Sequence, residues 1–150
     1  MTLTPETITA LRDLQKTCGD TAASKGFHDD RPKPMRASST IAGKNERAAQ
    51  LANWQGNKLM LIVSEVVEAH DEIRNGNPAN RTYYPTSPRG TAASPVTGTL
   101  FKPEGVPSEI ADVVIRCFDF AYTEGIDLAG IIAEKLEYNA TRERLHGKKF

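Results

Sequence analysis

Two stretches of this chain carry acidic residues at helical spacing: Glu65, Glu68 and Glu72 in the first, Glu109, Asp112 and Asp119, with Arg116 among them, in the second. Residues three and four apart share one face of a helix. At an effective dielectric of about 20, two carboxylates about 6 Å apart repel by about 3 kcal/mol. Bringing Glu65-x-x-Glu68 against Glu109-x-x-Asp112 is therefore costly without a cation, and with one the array becomes a binding site. An all-oxygen donor set suits Mg²⁺ or Mn²⁺ rather than Zn²⁺, and Mg²⁺ combines a few carboxylates with water and substrate phosphate oxygens. The plainer alternative is that both stripes are solvated outer faces of amphipathic helices. A di-iron carboxylate bundle would need two Glu-x-x-His pairs. The chain offers only Glu143 with His146, near its end.

A third group lies further along. Lys135, Asn139 and Arg142 sit four and three residues apart, and Arg144, His146, Lys148 and Lys149 follow. Cations and amide donors beside a carboxylate-held metal are what a polyphosphate requires, because they neutralise its charge and fix its orientation. The same basic residues could instead complement the dipole at a helix C-terminus.

These residues need helices to hold them. Leu59, Ile62, Val63, Val66, His70 and Ile73 recur at threes and fours, as do Ile110, Val113, Val114, Cys117, Phe118 and Ala121. Each acidic stripe thus lies on a helix that also has an apolar face. The expected elements are a helix from Thr4-Pro5 to about Cys18, a loop over 19–40, and helical sequence from Lys44 to Trp54. An interruption at Gly56-Asn57 precedes a helix from Lys58 to Asn75. Ser108 is the expected N-cap of a helix to about Thr123. Asp127 is the expected cap of a last helix carrying Leu128, Ile131, Ile132 and Leu136 and fraying near Arg144. Between them, residues 76–107 hold so many prolines and glycines that long helix is excluded. Tyr83-Tyr84 and Val96 to Phe101 suggest a short β-hairpin there.

With 150 residues, 39% of them hydrophobic, the chain suits one domain with a core. Lysine plus arginine match aspartate plus glutamate at 19 each, so no overall field favours nucleic acid or an anionic membrane. Cys18 and Cys117 are far apart in sequence and suit a reducing compartment. The opening residues lack a signal-peptide pattern, and no apolar run approaches the roughly 20 residues that span a bilayer. The expectation is a soluble, cytoplasmic protein with neither nucleic acid nor membrane as partner.

Taken together, KLMLIVSEVVEAHDEIRNG, EIADVVIRCFDFAYTEGIDL and EKLEYNATRERLHGKKF resemble the MazG-like branch of the all-α nucleotide pyrophosphohydrolases. The likeness is to its small single-domain members, some of them phage-encoded. It covers residues 58–75 and 108–150 and, more loosely, Gly26-Phe27-His28, and it is absent from 76–107. A lone Glu-x-x-Glu carries almost no information. Its ordered combination with Glu-x-x-Asp, Gly-Ile-Asp-Leu, Glu-Lys-x-x-x-Asn and His-Gly-Lys-Lys-Phe is specific.

The resemblance implies an all-α bundle of four to five helices and Mg²⁺ dependence. It also implies cleavage of nucleoside triphosphates between the α and β phosphates, and a homodimer or homotetramer whose neighbouring subunit helps complete the site. The metal ligands would be Glu65, Glu68, Glu109 and Asp112, with Glu65 or Glu68 also positioning the attacking water. Lys135 and Asn139 would match phosphate or nucleotide contacts, with Arg142 beside them. Trp54 could stack on a base or lie in the core, and His28 could line the pocket or sit on a surface loop. Glu68 and Glu109 stand farther apart than is common in the family, because the segment from Gly76 to Pro107 intervenes. The substrate could be dUTP, dCTP, an oxidised nucleotide, a guanosine alarmone or phosphoribosyl-ATP. From a different class, the chain could be a non-catalytic helical oligomer that binds nucleotides or a protein partner.

Overall fold

The computed structural model describes residues 3–34 and 40–143. Among them are four helices, α1 (Pro5–Ser24), α2 (Ile41–Arg74), α3 (Val106–Thr123) and α4 (Leu128–Ala140). The fold is all-α, and no described helix is long and apolar enough to cross a membrane. The expected basic tail, Arg144, His146, Lys148 and Lys149, lies outside the described residues.

The chain divides into two compact units, one formed by Met1–Asp29 with Phe118–Phe150 and the other by Asp30–Cys117, the boundary falling within α3. In the first unit α1 packs on α4. Thr4 caps α1 by accepting from Thr7 N, and Pro5 occupies the first turn, where a missing N–H costs nothing. The helix runs past Cys18 to Ser24, six residues beyond its expected end. Hydroxyls of Thr17, Thr21 and Ser24 bond back to carbonyls of the preceding turn and are absorbed by the helix instead of breaking it. Gly19 has a packing reason: a Cβ there would lie 2.1 Å from the Tyr122 ring. The true stop is Gly26, at φ 80°, with Phe27 N bonded to Ala22 O at 3.1 Å and Gly26 N to Ala23 O at 3.0 Å.

Three polar contacts tie the segment before α4 and the end of α3 to α1. The Arg12 guanidinium forks onto Asp127, with Nε 3.0 Å from Oδ1 and Nη2 2.6 Å from Oδ2. Gln15 Nε2 donates to Ile126 O at 2.8 Å, and Tyr122 donates its hydroxyl to Asp20 Oδ1 at 2.8 Å. Asp127 also caps α4 through Gly130 N, as expected.

In the second unit α2 is one helix of 34 residues, where the sequence suggested two. Gly56 does not break it: a mid-helix glycine costs roughly 1 kcal/mol, which the surrounding helix formers and the buried Trp54 outweigh. Thr40 caps its start by accepting from Gly43 N, and Gly76 follows its end. The segment between α2 and α3 contains only two isolated antiparallel bridges, Tyr83 with Glu104 and Ala93 with Leu100, in place of a formed hairpin. Its prolines and glycines do not allow the strands to extend. The first bridge is nevertheless an anchor, because the Tyr83 hydroxyl and Asn77 Nδ2 both donate to the Glu72 carboxylate on α2. Gly105 then lets the chain turn tightly into α3: at φ 102° a Cβ would meet Arg81 O at 2.4 Å. Helix α3 accordingly begins at Val106, two residues before the expected cap. Ser108 lies inside its first turn, with its hydroxyl bonded to Pro103 O at 3.0 Å.

Candidate metal centre

Buried helices rarely hide carboxylates, since removing a charge from water is costly unless something compensates. Here two are hidden within the second unit, Glu65 of α2 and Glu109 of α3, each only 5% exposed. Half-buried Asp112, one turn beyond Glu109, completes a triad. One ligand oxygen from each of the three lies within 4.8 Å of the others. Burial pushes the Glu109 carboxyl above its ordinary range, and the charges of Glu68, Asp112 and Glu65 push it further. Asp112 is raised as well, by burial first and then by Glu65, with Arg116 and Lys102 opposing the rise.

The donor set fits a hard divalent cation: three carboxylates and no sulfur or imidazole. The buried Glu65–Glu109–Asp112 cluster could therefore hold a metal ion. Glu68, the fourth expected ligand, is exposed one turn along α2 from Glu65 and acts on Glu109 through its charge.

Two cations accompany the acids. Arg116 Nη2 lies 2.6 Å from Glu65 Oε1. Lys102, from the proline-rich segment, pairs with Glu104 at 2.8 Å, and the charges of Glu109 and Glu68 also raise its pKa. Neither residue was assigned a role from the sequence. Arg116 was legible as part of the Asp112 stripe, four residues on. Lys102 was not, because only the Tyr83–Glu104 bridge reveals where its segment returns.

The remaining acids of the two stripes have other partners. Glu72 accepts from Tyr83 and Asn77, which makes it the anchor of the 76–107 segment. Asp119 belongs to the first unit, where its Oδ1 lies 2.7 Å from His28 Nε2, with Thr123 Oγ1 at 3.1 Å from the same nitrogen. His28 is thus mostly buried and fastened to the end of α3.

Trp54 is 6% exposed and donates Nε1 to Asp30 Oδ1 at 2.9 Å. The Arg31 guanidinium and the Lys58 ammonium lie 5.6 and 5.0 Å from its ring centroid. It walls an open cleft of about 620 Å³, which Lys33, Arg47 and Gln50 also line. Lys135, Asn139 and Arg142 belong to the first unit. Lys135 and Arg142 flank the ring of Tyr138, with Nζ at 5.3 Å and Cζ at 5.9 Å.

Compared with protein-family models, with curated proteins and with solved structures, the chain matches none.

Proposed function

We propose that the protein is a Mg²⁺-dependent nucleoside triphosphate pyrophosphohydrolase of the MazG-like kind, converting a (d)NTP and water to the monophosphate and pyrophosphate. One observation carries this reading: two carboxylates from separate helices are buried together with a third, at a spacing that invites a divalent cation. Gathering like charges away from water is unfavourable, and with the Arg116 guanidinium on Glu65 the Glu109 and Asp112 carboxyls are still pushed toward their neutral forms, so a divalent cation would relieve the arrangement.

Glu65, Glu109 and Asp112 would hold the metal, with Mg²⁺ the first candidate and Mn²⁺ an alternative. The bound ion supplies charge that neutralises the triphosphate and polarises the α-phosphorus. The other steps fall to the chain. Glu68 is exposed and adjacent to the ligands, which suits it to accept the proton from a water attacking the α-phosphorus. A P–O bond forms there as the bond to the bridging oxygen breaks, and pyrophosphate departs. Trp54, in the same unit as the triad, is proposed to border the nucleoside.

A homodimer or homotetramer accompanies this reading. In its support, Leu59, Val63, Val66 and Ile73 of α2 remain exposed along one helical face, apolar side chains that a second copy of the chain could cover. A cytoplasmic location also belongs to the proposal.

The experiment is a panel of NTPs and dNTPs assayed for pyrophosphate with Mg²⁺ and with Mn²⁺. Turnover of at least one nucleotide is expected, and Asp112→Ala and Glu68→Ala should each lose it while keeping helical circular dichroism. Undiminished turnover in either variant defeats the assignment, and no turnover with any nucleotide points to a non-catalytic module.

A further inference from the structure

The Arg116 guanidinium holds the carboxylate of Glu65, a member of the triad. Its Nη2 lies 2.6 Å from Oε1 of Glu65, whose side chain is 6% exposed, so the contact is made where water is scarce and charge attraction is strong. At the other end of the same group, Nε is buried with no hydrogen-bond partner among the described residues. Buried donors are almost always satisfied, and leaving one unmade costs about 1–3 kcal/mol. Arg116 is therefore gripped at one end and unsatisfied at the other. With its side chain 38% exposed, the head has room to leave. It also stands four residues from Asp112, on the same stripe of α3, so its charge bears on two members of the triad.

We propose that Arg116 is a built-in counter-cation: it holds Glu65 while the triad is empty, competes with a divalent metal for that carboxylate, and moves to a phosphate when metal and polyphosphate enter together. The inference rests on the metal-site reading above and adds an order of loading to it. Metal alone must displace a guanidinium, whereas metal arriving with a polyphosphate brings the displaced guanidinium an anionic partner. The acids are thereby kept apart from free divalent ions and made receptive by the substrate. Lys102 is unsuited to the same task, since its ammonium is engaged by Glu104.

Calorimetry with Mn²⁺ alone tests this on the full chain. Arg116→Met removes the charge and keeps the length, and it should bind Mn²⁺ about tenfold more tightly than the parent, a coupling in the usual range for linked sites. Arg116→Lys should remain near the parent. An α,β-methylene triphosphate analogue should strengthen Mn²⁺ binding more in the parent than in Arg116→Met. Equal or weaker Mn²⁺ binding by Arg116→Met, with parent binding intact and abolished by Glu109→Gln, overturns the competition alone. Absence of saturable Mn²⁺ binding in both parent and Arg116→Met overturns the metal site and the competition with it. Should Arg116→Met fail to fold, ¹⁵N NMR of the arginine Nε–H groups of the parent decides. The Arg116 signal, assigned by its loss in Arg116→Lys, should shift when Mg²⁺ and the analogue are added together, and a stationary signal overturns the proposal.

Discussion

The hydroxyl of Tyr83 lies 3.1 Å from Oε1 of Glu72, joining the proline-rich segment between α2 and α3 to the helix that carries Glu65. The contact is local in space and eleven residues apart in sequence, and the Tyr83–Glu104 bridge extends it to the residues just before α3. Tyr83→Phe keeps the ring and deletes the donor. A hydrogen bond to a charged acceptor contributes about 1.5–3 kcal/mol, and Asn77 remains to hold the other oxygen, so a loss of about 1 kcal/mol is expected. Urea titration should show a lower midpoint at unchanged slope. An unchanged midpoint would mean that the anchor contributes nothing.

Two glycines within helices should respond in opposite directions. At Gly19 a Cβ would lie 2.1 Å from the Tyr122 ring, so Gly19→Ala must displace an aromatic side chain and should cost about 1–3 kcal/mol. At Gly56 nothing lies within 4 Å of the added carbon, and the backbone is helical. Gly56→Ala should therefore stabilise by about 0.5–1 kcal/mol, since alanine loses less freedom on folding. Thermal melts of both variants check the pair, and a destabilised Gly56→Ala would mean that α2 is held less firmly there than its continuity implies.

Those glycines also mark the limit of what sequence could tell. Apolar periodicity and caps revealed where the helices lie and half of their ends, including the Thr4 and Asp127 caps, because these signals are local. Gly56 read as a break and Gly19 as the edge of one, because a glycine's meaning depends on neighbours distant in sequence. The acidic stripes indicated Glu65, Glu109 and Asp112, but periodicity could not tell which members face inward. Glu72 and Asp119 share those stripes and are occupied elsewhere, by Tyr83 and by His28. The role of Lys102 was hidden by the same limit, since the path of an irregular segment is decided by pairings such as Tyr83 with Glu104 rather than by any pattern.

Asp127 should make the first unit sensitive to acid. Hydrogen bonding to Arg12 and then to the Gly130 N–H lowers its carboxyl below the ordinary 3.8. A depressed folded-state pKa adds stability that is fully present above the unfolded value, and it is lost as pH falls through the folded one. The contribution should thus fade only below about 3.8, the unfolded value. In Arg12→Met the side-chain partner is gone and the cap to Gly130 remains, so the Asp127 titration should move upward yet stay below that of an unpartnered aspartate. Carboxyl NMR titration of parent and variant reads this directly. An unmoved Asp127 would show the fork to be without weight in solution.

The triad should reveal itself as a reversal of stability. Glu109 is buried among Glu65, Glu68 and Asp112, all of which disfavour its charge. Without metal, Glu109→Gln removes that repulsion while nearly preserving shape, so the variant should be more stable than the parent by about 1 kcal/mol, a fraction of the roughly 3 kcal/mol that one close carboxylate pair represents. With Mn²⁺ at a hundredfold its dissociation constant, the parent should gain about 2.7 kcal/mol and the variant almost nothing. The order of melting temperatures should therefore invert when metal is added. A parent that is the more stable of the two before metal, and no more so after it, would identify the triad as an ordinary buried polar cluster and remove the ground for the chemistry proposed at it.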